Sequence, residues 1–355
     1  MNTSTDPRWW GLLFASFLLS AFVTWLSIRY AHRRNLIDQP GRRRSHSLPT
    51  PRGGGIGIAV AAVLGCLYLS LTGAGQPTAL IAAIVLIAAV GWIDDHRGLS
   101  AVWRLAAQIV AAALIFAPLW YALLIAPGKV EEAMPAAHAL LWLGVFLAIG
   151  TLGLVWSINL HNFMDGINGL LGVQAVFVFC ALASLYPDNA GLPALWAAAV
   201  LGFLPFNFPR ARIFMGDVGS GVLGLLIGLT VLGQSPDGNG LANGVIACSA
   251  FVTDATCTLL SRMLRGRRWY SAHREHLYQW LARSGFSHAG VVALYMGWNF
   301  VVVAPVLYLA NRGGADAVPR GGLAWALAVY ALALGVWLAG KRWCLHRAKM
   351  IKSSK

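Results

Sequence analysis

The chain has 355 residues, 58% of them hydrophobic and only 11% charged, against roughly 45–50% and about 25% in soluble domains, which excludes an ordinary soluble protein. Its net charge of +14 falls in loops beside apolar runs, which speaks for membrane topology and anionic headgroups and against nucleic-acid binding. Cys66, Cys180, Cys248, Cys257 and Cys344 form no CxxC, so they argue for neither a disulfide framework nor a zinc site.

In chain order the apolar runs predict an all-α, polytopic single transmembrane domain over 1–355, with spans of about 20 residues each near 9–29, 54–73, 78–93, 103–125, 139–157, 169–186, 192–206, 219–234, 241–263, 289–310 and 322–340. That is eleven spans, or ten if one of the short Gly-rich runs does not cross. No small-residue cleavage signature follows the first run, which reads as a retained helix rather than a signal peptide. With these spans, 23 of the 27 Lys and Arg residues fall on one side. Lys and Arg accumulate on the cytoplasmic face, so the amino terminus is expected outside and the carboxyl terminus inside.

The outward segments, such as "TGAGQPT" and "SPDGNG", have ordinary turn compositions. The unusual chemistry lies in the cytoplasmic segments near 30–53, 94–103, 158–168, 207–219 and 264–288. Asp94 and Asp95 end an apolar run, Asp165 sits in "SINLHNFMDGINGL", and Asp217 in "FMGDVGSG". Singly, each reads as a turn or helix-cap residue. Four carboxylates on one face of a chain with 13 acidic residues argue for convergence on a cation. Carboxylates and amides without thiolates suit Mg²⁺, with Mn²⁺ as the alternative, and Mg²⁺ commonly shares its shell with substrate phosphates.

Glycines beside the aspartates, Gly166 and Gly169 in one loop and Gly216 with Ser220 in another, allow backbone N–H groups to approach an anion. Asn159, Asn162, Asp165 and Asn168 recur every three residues, close to helical spacing, so several of them can face one site. His273, Arg274 and His276 place three positive or ionisable groups within four residues and are candidates for a diphosphate. His46 and Arg52 in the first loop are weaker candidates for the same contact. Asp254 interrupts an apolar run and is balanced between a functional role and a structural one with a partner such as Arg262.

"DDHRGLSAVWRL", "NLHNFMDGINGL", "NFPRARIFMGDVGS" and "AHREHLYQ", in that order and joined by "RRSHSLPTPRGGG", resemble the polyprenyl-phosphate N-acetylhexosamine-1-phosphate transferases from about Arg42 to Gln279. Within that superfamily the last motif is similar to the branch that starts O-antigen and related surface glycans, and departs from the triple-histidine loop of the peptidoglycan-precursor translocases. The resemblance implies a bacterial inner-membrane enzyme whose site faces the cytoplasm. It would transfer sugar 1-phosphate from a UDP-N-acetyl sugar to undecaprenyl phosphate and release UMP. It matches Asp217 to the family's magnesium ligand, with Asp165 as second carboxylate, Asn207 and Phe214 to positions associated with the nucleotide base, and Asp94 and Asp95 to a catalytic pair. Because a phosphate monoester is largely dianionic at neutral pH, Asp95 is expected to orient or screen rather than to deprotonate. The oligomeric state stays open, a homodimer included. Two other classes remain: a transporter, whose sites belong near the midplane of broken helices, and a structural membrane protein, which needs no carboxylate cluster.

Overall fold

A computed structural model describes residues 7–39, 48–72, 77–125, 138–233, 239–268, 273–312 and 321–353. They are almost entirely helical. Helix α1 (Pro7–Arg33) leads through a two-stranded hairpin, β1 (Ile37–Asp38) and β2 (Thr50–Pro51), into α2 (Ile56–Leu71), α3 (Thr78–Arg97), α4 (Ala101–Ile115) and α5 (Ala117–Leu124). Next come α6 (Ala139–Met164), α7 (Leu170–Leu185), α8 (Gly191–Asn207), α9 (Gly216–Leu232), α10 (Asn239–Ala247), α11 (Ser249–Leu264) and α12 (Leu277–Arg283). Helix α13 (His288–Trp298) continues through a π-turn, Asn299–Val303, into α14 (Ala304–Ala310), and α15 (Gly322–Ser353) closes the described chain. His46, proposed from the sequence for a phosphate contact, lies outside the described residues.

Among the described residues, five helices are long and apolar enough to cross a membrane: α1, α3, α6, the α13–α14 unit and α15. Two expected spans are broken. The run 103–125 bends by 72° between α4 and α5, where Phe116 is followed by Ala117 and Pro118, and the run 241–263 bends by 70° at Cys248, between α10 and α11. Counting each bent pair as one span gives up to seven. Helices α2, α7, α8 and α9 have 16 or 17 residues, a rise of about 24–26 Å against a hydrocarbon layer of about 30 Å. Phe14, Trp103, Leu152 and Phe300 are all more than 60% exposed, the outward apolar surface expected of helices that face lipid.

Inside, helices meet through small residues, as lipid-embedded helices do when dispersion and short polar contacts replace the hydrophobic drive. The buried face of α1 is Ser16, Ser20, Thr24, Ser27 and Ala31. Ser16 Oγ donates to Leu195 O of α8 at 3.1 Å, and Thr24 Oγ1 to Gly54 O at 3.3 Å. Helix α9 is buried along most of its length and packs on α3 and α6. A Cβ at Gly91 of α3 would stand 2.6 Å from the Asp217 carbonyl, and one at Gly224 of α9 would stand 2.6 Å from Ile158 Cα. Because the chain alternates direction, the C-terminal ends of α1, α3, α6 and α8 and the N-terminal ends of α2, α4, α7 and α9 gather at one end of the bundle.

Candidate active site

That end carries a polar cavity of about 270 Å³. Arg52, Asp95, Asn162, Asp165, Asn168, Asn207, Phe214, Gly216, Asp217 and Ser220 all line it, together with Asp38, Gln279 and His288. Stretches of sequence spread from Asp38 to His288 therefore meet at one point.

The frame of the cavity is backbone. Phe214 N donates to Pro51 O at 2.8 Å, while Gly54 N donates to Phe214 O at 2.9 Å and Gly55 N to Met215 O at 2.8 Å, tying the first loop to the loop before α9. The contact is close enough that a Cβ on Gly55 would fall 2.2 Å from Gly219 Cα. Gly216 opens α9 with φ +74°, a conformation L side chains rarely adopt. Asn207 ties two further loops, its Oδ1 accepting from Gly169 N at 2.7 Å and its Nδ2 donating to Ile213 O at 3.0 Å. Both ends of that amide make a bond within the protein, and Asn207, expected near the nucleotide base, lies on the cavity wall. Phe214 lines the same cavity.

The acidic centre lies where α6 meets α9. Asn162 Nδ2 donates to Asp217 Oδ1 at 2.7 Å and to Ser220 Oγ at 2.9 Å. Arg104 Nη1 stands 2.9 Å from Asp94 Oδ2 and 3.7 Å from Asp217 Oδ2. Asp94 also accepts the Leu99 N–H and is absent from the cavity wall. Asp95 turns the other way, into the start of α9. Burial, then the charges of Asp217 and Asp95, hold the Asp165 carboxyl well above the usual carboxylate range, the mark of an anionic cluster short of positive charge.

Of the asparagines spaced by three, Asn162 and Asn168 reach the cavity with Asp165, and Asn159 does not. It lies one helical turn deeper in α6, where Asn159 Nδ2 donates to Gln108 Oε1 of α4 at 2.6 Å. Asn159 and Gln108 line a smaller cleft with Arg104, Asn162, Phe163 and Asp217, walled by α3, α4, α6 and α9.

His273, Arg274 and His276 are not on the cavity wall. His273 stacks on His276, with centroids 4.8 Å apart, and His276 stacks on Tyr278. Burial, then the charges of His276 and Arg262, bring His273 down to about 4, and burial also lowers His276. Burial thus favours the uncharged form of both rings in this structure. Through α12 the segment instead sends Gln279 to the cavity, with Gln279 Nε2 donating to Tyr278 Oη at 3.1 Å and Tyr278 Oη to Phe163 O at 2.9 Å.

Asp254 is the centre of a buried hydrogen-bond hub. Its carboxylate accepts from Leu277 N at 2.6 Å, Tyr278 N at 3.2 Å, Tyr295 Oη at 2.7 Å, Trp337 Nε1 at 3.0 Å and Thr258 Oγ1 at 3.3 Å. Arg262, the partner expected from the sequence, pairs with Glu275. Asp38, Arg104, Gln279 and His288 were not singled out from the sequence as site residues. Arg104 and Gln279 stand inside the motif segments, and only the fold turns them toward the carboxylates.

Among the described residues no three His, Cys, Asp or Glu side chains converge as a ready-made metal cage. A donor set of Asp217 with the amide of Asn162, beside an under-neutralised Asp165, still fits Mg²⁺, which takes one or two protein ligands and completes its shell with water and phosphate oxygens.

The chain is similar to several known proteins. The profile of glycosyl transferase family 4 matches residues 77–234, which run from α3 to the end of α9. The chain is 31% identical to the decaprenyl-phosphate N-acetylglucosaminephosphotransferase of Mycobacterium tuberculosis, over 80% of this chain and 78% of that one. It is 28% identical to a probable undecaprenyl-phosphate N-acetylglucosaminyl 1-phosphate transferase of Bacillus subtilis, over 83% and 84%. It is also 28% identical to the phospho-N-acetylmuramoyl-pentapeptide-transferase of Chlamydia trachomatis, over 62% and 72%.

Proposed function

The chain belongs to the polyprenyl-phosphate N-acetylhexosamine-1-phosphate transferases of glycosyl transferase family 4, and on that premise we propose that it transfers an N-acetylhexosamine 1-phosphate from a UDP-sugar to undecaprenyl phosphate, initiating a surface glycan such as O-antigen. An oxygen of the lipid phosphate attacks the donor phosphorus that carries the sugar. The bond from that phosphorus to the bridging oxygen breaks, and UMP leaves with the electron pair. The observation that carries this reading is the meeting of Asp217, Asn162, Asp165, Asp95 and Arg52 in one cavity with Phe214 on its wall.

Two polyanions must be brought together, so positioning and charge compensation are the main tasks. Asp217 and the Asn162 amide, with Asp165 nearby, would hold Mg²⁺, which polarises the phosphoryl group and offsets the charge of the leaving UMP. The Phe214 ring offers a face on which uracil can stack. Arg52 faces the same cavity and suits a phosphate oxygen. Arg104, Gln108 and Asn159 line the cleft between α3, α4, α6 and α9, which suits a phosphate headgroup arriving from the lipid with its isoprenoid tail left outside. In this reading α2, α7, α8 and α9 also cross the membrane, bringing the count to eleven. The amino terminus is then periplasmic and the site faces the cytoplasm of a bacterial inner membrane.

The test is turnover by the purified chain in detergent with undecaprenyl phosphate, Mg²⁺ and a panel of UDP-N-acetyl sugars, N-acetylglucosamine first because the relatives' names carry it. UMP release and the lipid product mass are followed. Product with one sugar, abolished by EDTA and reduced at least about 10³-fold in Asp217→Asn, is the expected outcome. Folded protein that turns over no nucleotide sugar would overturn the proposal.

A further inference from the structure

The two neighbouring aspartates at the end of α3 face different partners. Asp94 pairs with Arg104. Asp95, 4% exposed, spends both oxygens on α9: Asp217 N donates to Oδ1 at 3.1 Å and Val218 N to Oδ2 at 3.3 Å. Helix α9 has no cap of its own, since Met215 precedes it and no side chain there accepts its first N–H groups. A helix start leaves such donors without partners, and here a carboxylate 122 residues earlier in the chain meets two of them. Arg52 holds the Asp95 carbonyl from the other side. A Cβ on Gly216 would stand 2.5 Å from Asp95 Oδ2, so the fit leaves no slack.

We propose that Asp95 is a positioning residue: it caps α9 from α3 and thereby fixes Asp217, one of the two residues whose N–H it binds, at the distance from Asn162 that the metal requires. This deepens the proposed function and rests on it. A reacting lipid phosphate would find both Asp95 oxygens already committed, so the residue acts through Asp217 and not on substrate. A capping group contributes a factor of about 2–30 to the equilibrium that holds a helix start, and a displaced ligand multiplies that effect at the metal.

Three measurements on the full chain in lipid nanodiscs test this. In the wild-type protein, hydrogen exchange over residues 213–221 should show the Asp217 and Val218 amides protected; free exchange there overturns the cap without recourse to any variant. Asp95→Asn keeps the shape and one acceptor, while Asp95→Leu keeps the shape and neither. Mn²⁺ affinity read by electron paramagnetic resonance should fall about 3–10-fold in the first and at least about 100-fold in the second. The losses in turnover should lie in kcat, with raised Mn²⁺ restoring part of the Asp95→Asn activity. Unchanged Mn²⁺ affinity in both variants with turnover lost alike would assign Asp95 to the substrate and overturn the proposal. Asp217→Asn separates the two levels. If it binds Mn²⁺ as the wild type does, the metal centre of the proposed function fails; if it loses Mn²⁺ while Asp95→Leu keeps it, only the positioning role fails.

Discussion

Asp165 shares its cavity with Asp95 and Asp217, and their charges add to burial in holding its proton. A divalent cation brought into that cavity offsets the repulsion and lowers the carboxyl again. Binding therefore releases a proton, and apparent metal affinity rises as pH rises through the range where Asp165 ionises. Mn²⁺ titrations at pH 6 and pH 8 should give tighter binding at the higher pH, and Asp165→Asn should flatten the difference. A pH-independent affinity in the wild type would contradict this. Residues such as Asn162, Asp165, Asn168 and Asp217 are legible in sequence because polar groups in an apolar chain need a reason to be there. The cap made by Asp95 was not, because its partner is the backbone of a distant helix and N–H groups leave no letter in the sequence. The burial of His273 and His276 is hidden for a related reason: a histidine read as ionisable says nothing of the surroundings that lower its pKa.

At the level of elements, α12 stands on Asp254 as α9 stands on Asp95, a carboxylate from another helix meeting N–H groups at its start, in α12 beside the Gln279 Oε1 that accepts from His276 N at 3.3 Å. Taking the Asp254 carboxylate away leaves up to five buried donors from four elements without an acceptor, at about 1–3 kcal/mol each. Folded proteins have about 5–15 kcal/mol in total. Asp254→Leu should therefore yield little monodisperse protein, and Tyr295→Phe, which removes one bond, should cost about 1 kcal/mol. Unfolding midpoints and size-exclusion profiles in one detergent check both, and a wild-type profile for Asp254→Leu would refute the hub. The helices themselves were legible from their apolar runs. The breaks at Phe116 and Cys248 were not, since composition continues across them and only packing reveals the 70° and 72° bends.

For the whole molecule, the grouping of alternate helix ends follows from chain direction, and so does the gathering at one end of the motifs that Lys and Arg placement puts on one side. Cysteines placed singly at the exposed Ser100 and Asn311 in a cysteine-free chain test the sidedness. A membrane-impermeant thiol reagent should label the second in intact spheroplasts and the first only after permeabilisation; the reverse pattern would invert the topology.

The interlock of Gly55, Gly91, Asp95 and Asp217 also has a consequence in time. Its parts are made by the ribosome in sequence, and the last of them, the Asn162 partners Asp217 and Ser220, emerges only after about 220 of the 355 residues. Until then the growing chain has aspartates but no centre, so chemistry on a diphosphate cannot begin before the helices that shield it are threaded together. A product cut off before Ser220 lacks that centre.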